Sequence, residues 1–314
     1  MRTVGLNVTM FFLVLGLLMP CLTLESGSAY AQAGKIVLKK YPELKLGFTT
    51  TNFLNLLPVS VDNKKKLIDY AAEQGYVWIE LRDPNADLTL ANCRELATYA
   101  NNKGIKIGYA IQKGLLDKDF LETFSRGLAN AAVFEGPKTI RVLGASAEFQ
   151  DPKKKAWTLE ELYKAVETAN TAANKAKELG LQLVVENAFE PLKGDGISSF
   201  GTTEFFANVN RNVALQLDTA NLFAVSRVCA APEDAKKFLE KNIGNLAYIH
   251  LKTSTPEHKV SPCLGDNELG FDIVFELMQK NRVYWVAIEL PGAKTLEEAK
   301  GNHERSVKYL MDKY

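Results

Sequence analysis

The chain has 314 residues, 46% hydrophobic and 24% charged, with a formal net charge of +1. This is ordinary globular composition, enough for one large α/β domain or two small ones. It offers no basic field to draw nucleic acid and no acidic tail.

The first segment reads as a secretory signal. Arg2 starts it, residues 10–22 are almost unbrokenly apolar, and residues 27–33 are a small-residue exit holding Ala29-Tyr30-Ala31 and Ala31-Gln32-Ala33. That is the charged, apolar, cleavage-site order of an export signal. Residues 1–33 are therefore expected to be removed and 34–314 to form the mature, exported protein, periplasmic or secreted. A retained anchor is the weaker alternative, because the apolar run contains Pro20 and falls short of the roughly 20 residues a span needs. A lipid-bearing Cys21 is weaker still, since Pro20 is a poor residue before such a site. Without Cys21 three cysteines remain, Cys93, Cys229 and Cys263. The last two follow predicted strands and stand either as a disulfide or as separate thiols. Cys93, in an amphipathic helix, is expected to be a small core residue.

From residue 44 onward short apolar runs alternate with amphipathic stretches. Strand 46–49 leads through a turn-rich stretch at 55–60 into a helix that Asp62 caps and Gly75 ends. Strand 77–81, helix 89–103, strand 105–110, helix 117–134 and strand 139–143 follow. Thr158 with Glu161 is a capping-box start for a long helix to residue 179, stopped by Gly180. Strands 181–185, 213–217, 246–251 and 284–288 then alternate with helices 202–209, 232–242, 271–281 and 295–311. The strands are continuous apolar runs, as expected where both faces are covered. Eight strand–helix units predict a single-domain (β/α)₈ barrel. An open doubly wound sheet shares the local pattern, but no Gly-rich phosphate turn follows the first strand. The runs Lys64–Lys65–Lys66 and Lys153–Lys154–Lys155 read as solvated faces, and His303, beside Glu304 and Arg305, as a surface residue.

Four polar residues stand where successive apolar strands give out: Glu186, Asp218, His250 and Glu289, spaced by 32, 32 and 39 residues. In a barrel such strand ends ring one mouth. Three carboxylates and an imidazole would repel one another without a cation. With one they form an oxygen/nitrogen site suited to Mn²⁺, Mg²⁺, Co²⁺ or Zn²⁺. Glu80 and Arg141, in the second and fourth strands, either line the pocket or form an internal ion pair.

The stretch from residue 46 to the C-terminus resembles the xylose isomerase-like TIM barrels, the sugar phosphate isomerase/epimerase group. The matching motifs are Val184-Val185-Glu186-Asn187, Leu217-Asp218-Thr219-Ala220-Asn221, Ile249-His250-Leu251-Lys252, the loop Leu264-Gly265-Asp266-Asn267-Glu268-Leu269-Gly270-Phe271, and Ile288-Glu289. The resemblance implies one divalent metal on Glu186, Asp218, His250 and Glu289, with Glu186 and Glu289 doubling as the acid/base pair on a keto-sugar. It also implies two departures. Asn221 replaces a common histidine, and the arginine usual after the strand-seven histidine is absent, leaving Lys252 or His258 to grip substrate.

The implied activity is proton abstraction next to a carbonyl through an enediolate, on a monosaccharide or keto-sugar. For an exported protein a neutral sugar or glycoside is favoured over a sugar phosphate. Two alternatives keep the site: cleavage of a 3-keto-glycoside by elimination, and a non-catalytic sugar-binding barrel. The expected partner is a small sugar, with no nucleic acid and no membrane after signal removal, while homo-oligomerisation is left open. Barrels that repair abasic DNA use many histidines and backbone-binding cations, and this chain has three histidines.

Overall fold

Four helices begin where a hydroxyl can hold an early amide. Ser60, Thr89, Thr158 and Thr295 each accept the backbone N–H three residues on, satisfying donors that a helix start otherwise leaves open. Ser60 takes the position expected of Asp62, which lies in the first turn beyond it. Gly75 ends the first of these helices at φ 81°, a left-handed conformation that a side chain resists.

The computed structural model describes residues 34–144, 157–187, 199–223, 232–253, 260–266 and 271–314. Its strands are β1 (Lys45–Thr49), β2 (Trp78–Arg82), β3 (Lys106–Gly114), β4 (Thr139–Leu143), β5 (Gln182–Glu186), β6 (Val213–Asp218), β7 (Leu246–Leu251) and β8 (Trp285–Ile288). They pair in chain order, all parallel, and β1 closes on β8, with Leu46 opposite Val286 and Phe48 opposite Ile288. The expected (β/α)₈ barrel is therefore present, and the open sheet is excluded by that last pairing.

Helices α1 (Val61–Gln74), α2 (Leu90–Asn102), α3 (Phe120–Ala131), α4 (Leu159–Glu178), α5 (Ser199–Asn208), α6 (Thr219–Phe223), α7 (Pro232–Asn242), α8 (Phe271–Lys280) and α9 (Leu296–Lys313) accompany the strands. The short α6 has no counterpart in the apolar periodicity. Among the described residues no helix is long and apolar enough to cross a membrane.

Two cores result. The larger lies outside the barrel, where strand residues such as Phe48, Ile79, Ile140 and Leu217 meet the helices. The smaller plugs the barrel's lower interior and consists of Trp78, Val184, Ala214, Tyr248 and Ala287. Gly47 leaves room for the Trp78 indole, whose Nε1 donates to Lys45 O at 2.8 Å and Val286 O at 3.0 Å. Side chains alternate along a strand, so stepping two residues up from that plug reaches Glu80, Glu186, Gln216, His250 and Glu289. The interior thus changes from apolar to ionic towards the C-terminal mouth.

Two surface expectations need revision. Lys64 is fully buried, its Nζ donating to Thr50 Oγ1 at 3.2 Å, and burial lowers its pKa to about 8. His303 is also buried, because Ala299, His303, Ser306 and Leu310 share the inner face of α9 despite charged sequence neighbours. Of the Lys153–Lys155 run nothing is described. Cys93 is in the core as expected; Cys263 is a buried free thiol, and Cys229 lies outside the described residues.

Candidate metal centre

Asp218 closes β6 and is fully buried. Its Oδ1 accepts the Asn221 N–H at 3.0 Å and so starts α6. The neighbouring strand holds its backbone by a side chain: Asn187 Oδ1 accepts the Asp218 N–H at 2.8 Å, and Asn187 Nδ2 donates to Asp218 O at 3.2 Å. One carboxamide thus stands in for a peptide of the next strand. Thr219 Oγ1 accepts the Lys252 N–H at 2.9 Å, tying the tops of β6 and β7 together.

His250 projects inward from β7 with both ring nitrogens against carboxylates. Nε2 lies 3.1 Å from Glu80 Oε2. Nδ1 lies 2.6 Å from Glu289 Oε2, yet this approach lacks hydrogen-bond alignment, so both atoms are buried without a hydrogen bond. Burial opposes charging the ring, but Glu80 and Glu289 outweigh it and raise the His250 pKa to about 9. Burial likewise opposes the charge of Glu80, which Arg141, His250 and Arg82 outweigh, keeping it ionised well below the usual carboxylate range. Glu80 also accepts from Tyr248 Oη at 2.6 Å and Thr49 Oγ1 at 3.1 Å.

Asp218, His250 and Glu289 each offer one ligand atom, and these atoms lie within 4.8 Å of one another. Lys252 lies against the trio, its Nζ 3.2 Å from Asp218 Oδ2 and 2.9 Å from Glu289 Oε1. Burial disfavours that ammonium; Asp218 and Glu289 outweigh burial and hold it charged. The fourth expected ligand, Glu186, turns away. Its Oε2 meets Arg141 Nη1 at 2.5 Å, and its Oε1 is 3.5 Å from Asn221 Nδ2. Burial, opposed by Arg141 and reinforced by Glu289 and Asp218, raises the Glu186 pKa, whereas Lys252 and His250 overcome burial to lower that of Glu289.

The donor set fits a divalent cation. Hard oxygens and one imidazole nitrogen converge, and two buried polar atoms approach closely without bonding each other. The structure therefore brings together three of the four expected ligands and places Glu186 beside them, paired with arginine. Glu80 and Arg141 do form an internal ion pair, Arg141 Nε lying 3.3 Å from Glu80 Oε2. Lys252 and Asn221 both face the site; His258 lies outside the described residues.

A model of the family described as xylose isomerase-like TIM barrel matches residues 68–313. The chain belongs to this family. No curated protein matches the sequence. Among solved structures, 3-keto-D-glucoside 4-epimerase YcjR from E. coli is 15% identical, with a TM-score of 0.64 over 86% of this chain and 99% of that one. A D-psicose 3-epimerase from Clostridium cellulolyticum H10, solved with D-tagatose, is 17% identical, with a TM-score of 0.62 over 86% and 97%. A xylose isomerase-like TIM barrel protein from Mycobacterium smegmatis, in complex with magnesium, is 16% identical, with a TM-score of 0.64 over 86% and 97%. At such identities the likeness is one of fold.

Within this xylose isomerase-like barrel, the sequence reading passed over Arg82 and Asn52. Arg82 is 3% exposed, with Nη2 3.7 Å from Glu80 and 3.8 Å from Glu289. The two-residue spacing Glu80–Arg82 was a signal for it, since both must share a strand face. Asn52 sits in a stretch without periodicity, and its partners are 236 to 251 residues away; no local signal marks it.

Proposed function

We propose that this protein is a divalent-metal-dependent sugar isomerase or epimerase that moves a carbon-bound proton beside a carbonyl, through an enediolate, on a monosaccharide or keto-sugar. The observation that carries this reading is the convergence of Asp218, His250 and Glu289 on one point at the barrel mouth, with a second glutamate, Glu186, alongside. Barrels of this fold include enzymes described as 3-keto-D-glucoside 4-epimerase and D-psicose 3-epimerase, and one solved with magnesium.

Asp218, His250 and Glu289 would hold the ion, with Glu186 as a fourth ligand once it leaves Arg141, and the ion when bound supplies Lewis-acid polarisation of a substrate carbonyl. The two glutamates do the proton work. Glu289, kept ionised beside Lys252 and His250, takes the proton from carbon. Glu186 returns one from the other side. Arg141 and Asn221 hold Glu186, and Lys252 presents an ammonium where negative charge develops on oxygen.

Deuterium wash-in tests this reading. Metal-loaded protein is incubated in D₂O with a panel of keto-sugars and keto-glycosides. Exchange of a substrate C–H is expected, and Glu289→Gln should abolish it while the fold is retained. Exchange at the wild-type rate in that variant would remove Glu289 from its role; no exchange in the wild type would favour a binding barrel.

A second reading shares the first step. One structural neighbour is described as a probable 3-DHS dehydratase, so this fold also accommodates elimination. On a 3-keto-glycoside the same proton loss would expel the aglycone, and aglycone release in the same incubations separates cleavage from epimerisation. Residues 1–33 are further proposed as an export signal, for which N-terminal sequencing of secreted protein should give a start near residue 34.

A further inference from the structure

Strand β8 ends at Ile288, and β1 turns into a 3₁₀ helix at Thr50–Phe53 one step after the two strands stop pairing. The peptides around Glu289 therefore lose their ladder partner on that side. Asn52, 1% exposed in the 3₁₀ helix, fills the gap. Its Oδ1 accepts the Leu290 N–H at 2.8 Å and its Nδ2 donates to Ile288 O at 3.3 Å. On the opposite side the Glu289 N–H donates to Leu251 O at 2.9 Å. The backbone of Glu289 is thus held from both neighbouring strands, one contact being a side-chain amide in place of a peptide, as Asn187 does for Asp218.

A carboxamide can flip, and flipped it would set oxygen against oxygen and N–H against N–H. Those two backbone partners fix the orientation, and His303 takes the amide's remaining N–H. Its Nε2 lies 2.8 Å from Asn52 Nδ2, which must donate to it, so the ring carries its proton on Nδ1 and donates to Tyr76 Oη at 3.2 Å. The ring itself is wedged by Phe53, stacked at 5.2 Å, and by Phe48 edge-on at 5.1 Å.

We propose that Asn52, with His303 accepting its second amide N–H, is a positioning residue that aims Glu289 at the shared ligand point. This rests on the reading of Glu289 as a metal ligand. Partners that hold a ligand in place typically contribute about 10- to 100-fold in metal affinity.

The test is Mn²⁺ titration of the metal-stripped protein by calorimetry, comparing wild type, Asn52→Ala, His303→Phe and a stability control. His303→Phe keeps an aromatic in the cluster while removing the acceptor, and so decides the matter if Asn52→Ala fails to fold. The control is Phe124→Leu, a buried site on α3. Both test variants should bind Mn²⁺ at least about tenfold more weakly, while the control, similarly destabilised, should match the wild type. Wild-type affinity in a folded Asn52→Ala or in His303→Phe would overturn the proposal. So would an equal loss in the control. Failure of the wild type to bind Mn²⁺ would overturn the ligand reading of Glu289 itself, and this inference with it.

Discussion

Glu80 Oε2 lies 3.1 Å from His250 Nε2, on the far edge of the ring from the nitrogen that faces Glu289. A carboxylate behind an imidazole fixes both its rotation and its tautomer, leaving the front nitrogen for a cation. Glu80→Gln should therefore weaken Mn²⁺ binding by about 10- to 100-fold while Asp218 and Glu289 remain in place. Calorimetric titration reads this directly; an unchanged affinity would show that the rear contact does not aim the ring.

Lys252 places an ammonium between Asp218 and Glu289, a charge-balancing position for the metal-free protein. Removing one member of a buried ionic cluster leaves the others uncompensated, at a cost of about 3 kcal/mol. Lys252→Met should accordingly melt earlier without metal and gain more than the wild type when Mn²⁺ is added. Thermal melts with and without Mn²⁺ check both, and an equal gain in the two proteins would show that the ammonium does not balance the ligand carboxylates.

His303 is held neutral, its pKa lowered by burial from 6.5 to about 3. Between those values the unfolded chain takes up a proton that the folded chain refuses. The stability contribution is therefore full above 6.5 and is lost as pH falls, by about 2 kcal/mol at pH 5 and about 4 kcal/mol by pH 3. His303→Phe removes the titrating group, so urea unfolding at pH 7 and pH 5 should show a smaller acid loss in the variant. Equal losses would place the acid sensitivity elsewhere.

Gly47 sits under the indole that plugs the barrel floor. A Cβ there would come within 2.5 Å of Trp78 Cδ1 and Nε1 and would also strike the Trp78 backbone oxygen. The indole cannot retreat without giving up its bonds to Lys45 O and Val286 O. Gly47→Ala should cost about 3 kcal/mol, seen as a lower urea midpoint; an unchanged midpoint would mean that the floor repacks freely.

The periodic parts of the chain announced themselves. Eight apolar runs, each followed by an amphipathic stretch, carry the barrel because strand and helix formation depend on neighbours a few residues apart. The polar residues at strand ends were legible for the same reason: a run such as Val286-Ala287-Ile288 that stops at Glu289 places the acid at a strand top whatever its partners. Their joint chemistry carried the expectation of a shared cation, and the family motifs added the acid/base roles of Glu186 and Glu289.

Distance in the chain hid the rest. Whether Glu186 joins the trio or pairs with Arg141 depends on how neighbouring strands turn their side chains. That Lys252 lies between two carboxylates follows from β7 pairing between β6 and β8; that Arg82 reaches Glu289, and that Asn52 and His303 meet across 251 residues, are consequences of β1 closing on β8. Local sequence determines which elements form and which residues end them. Only closure of the barrel decides which of those residues touch, because contacts between chain ends arise from packing and leave no period behind.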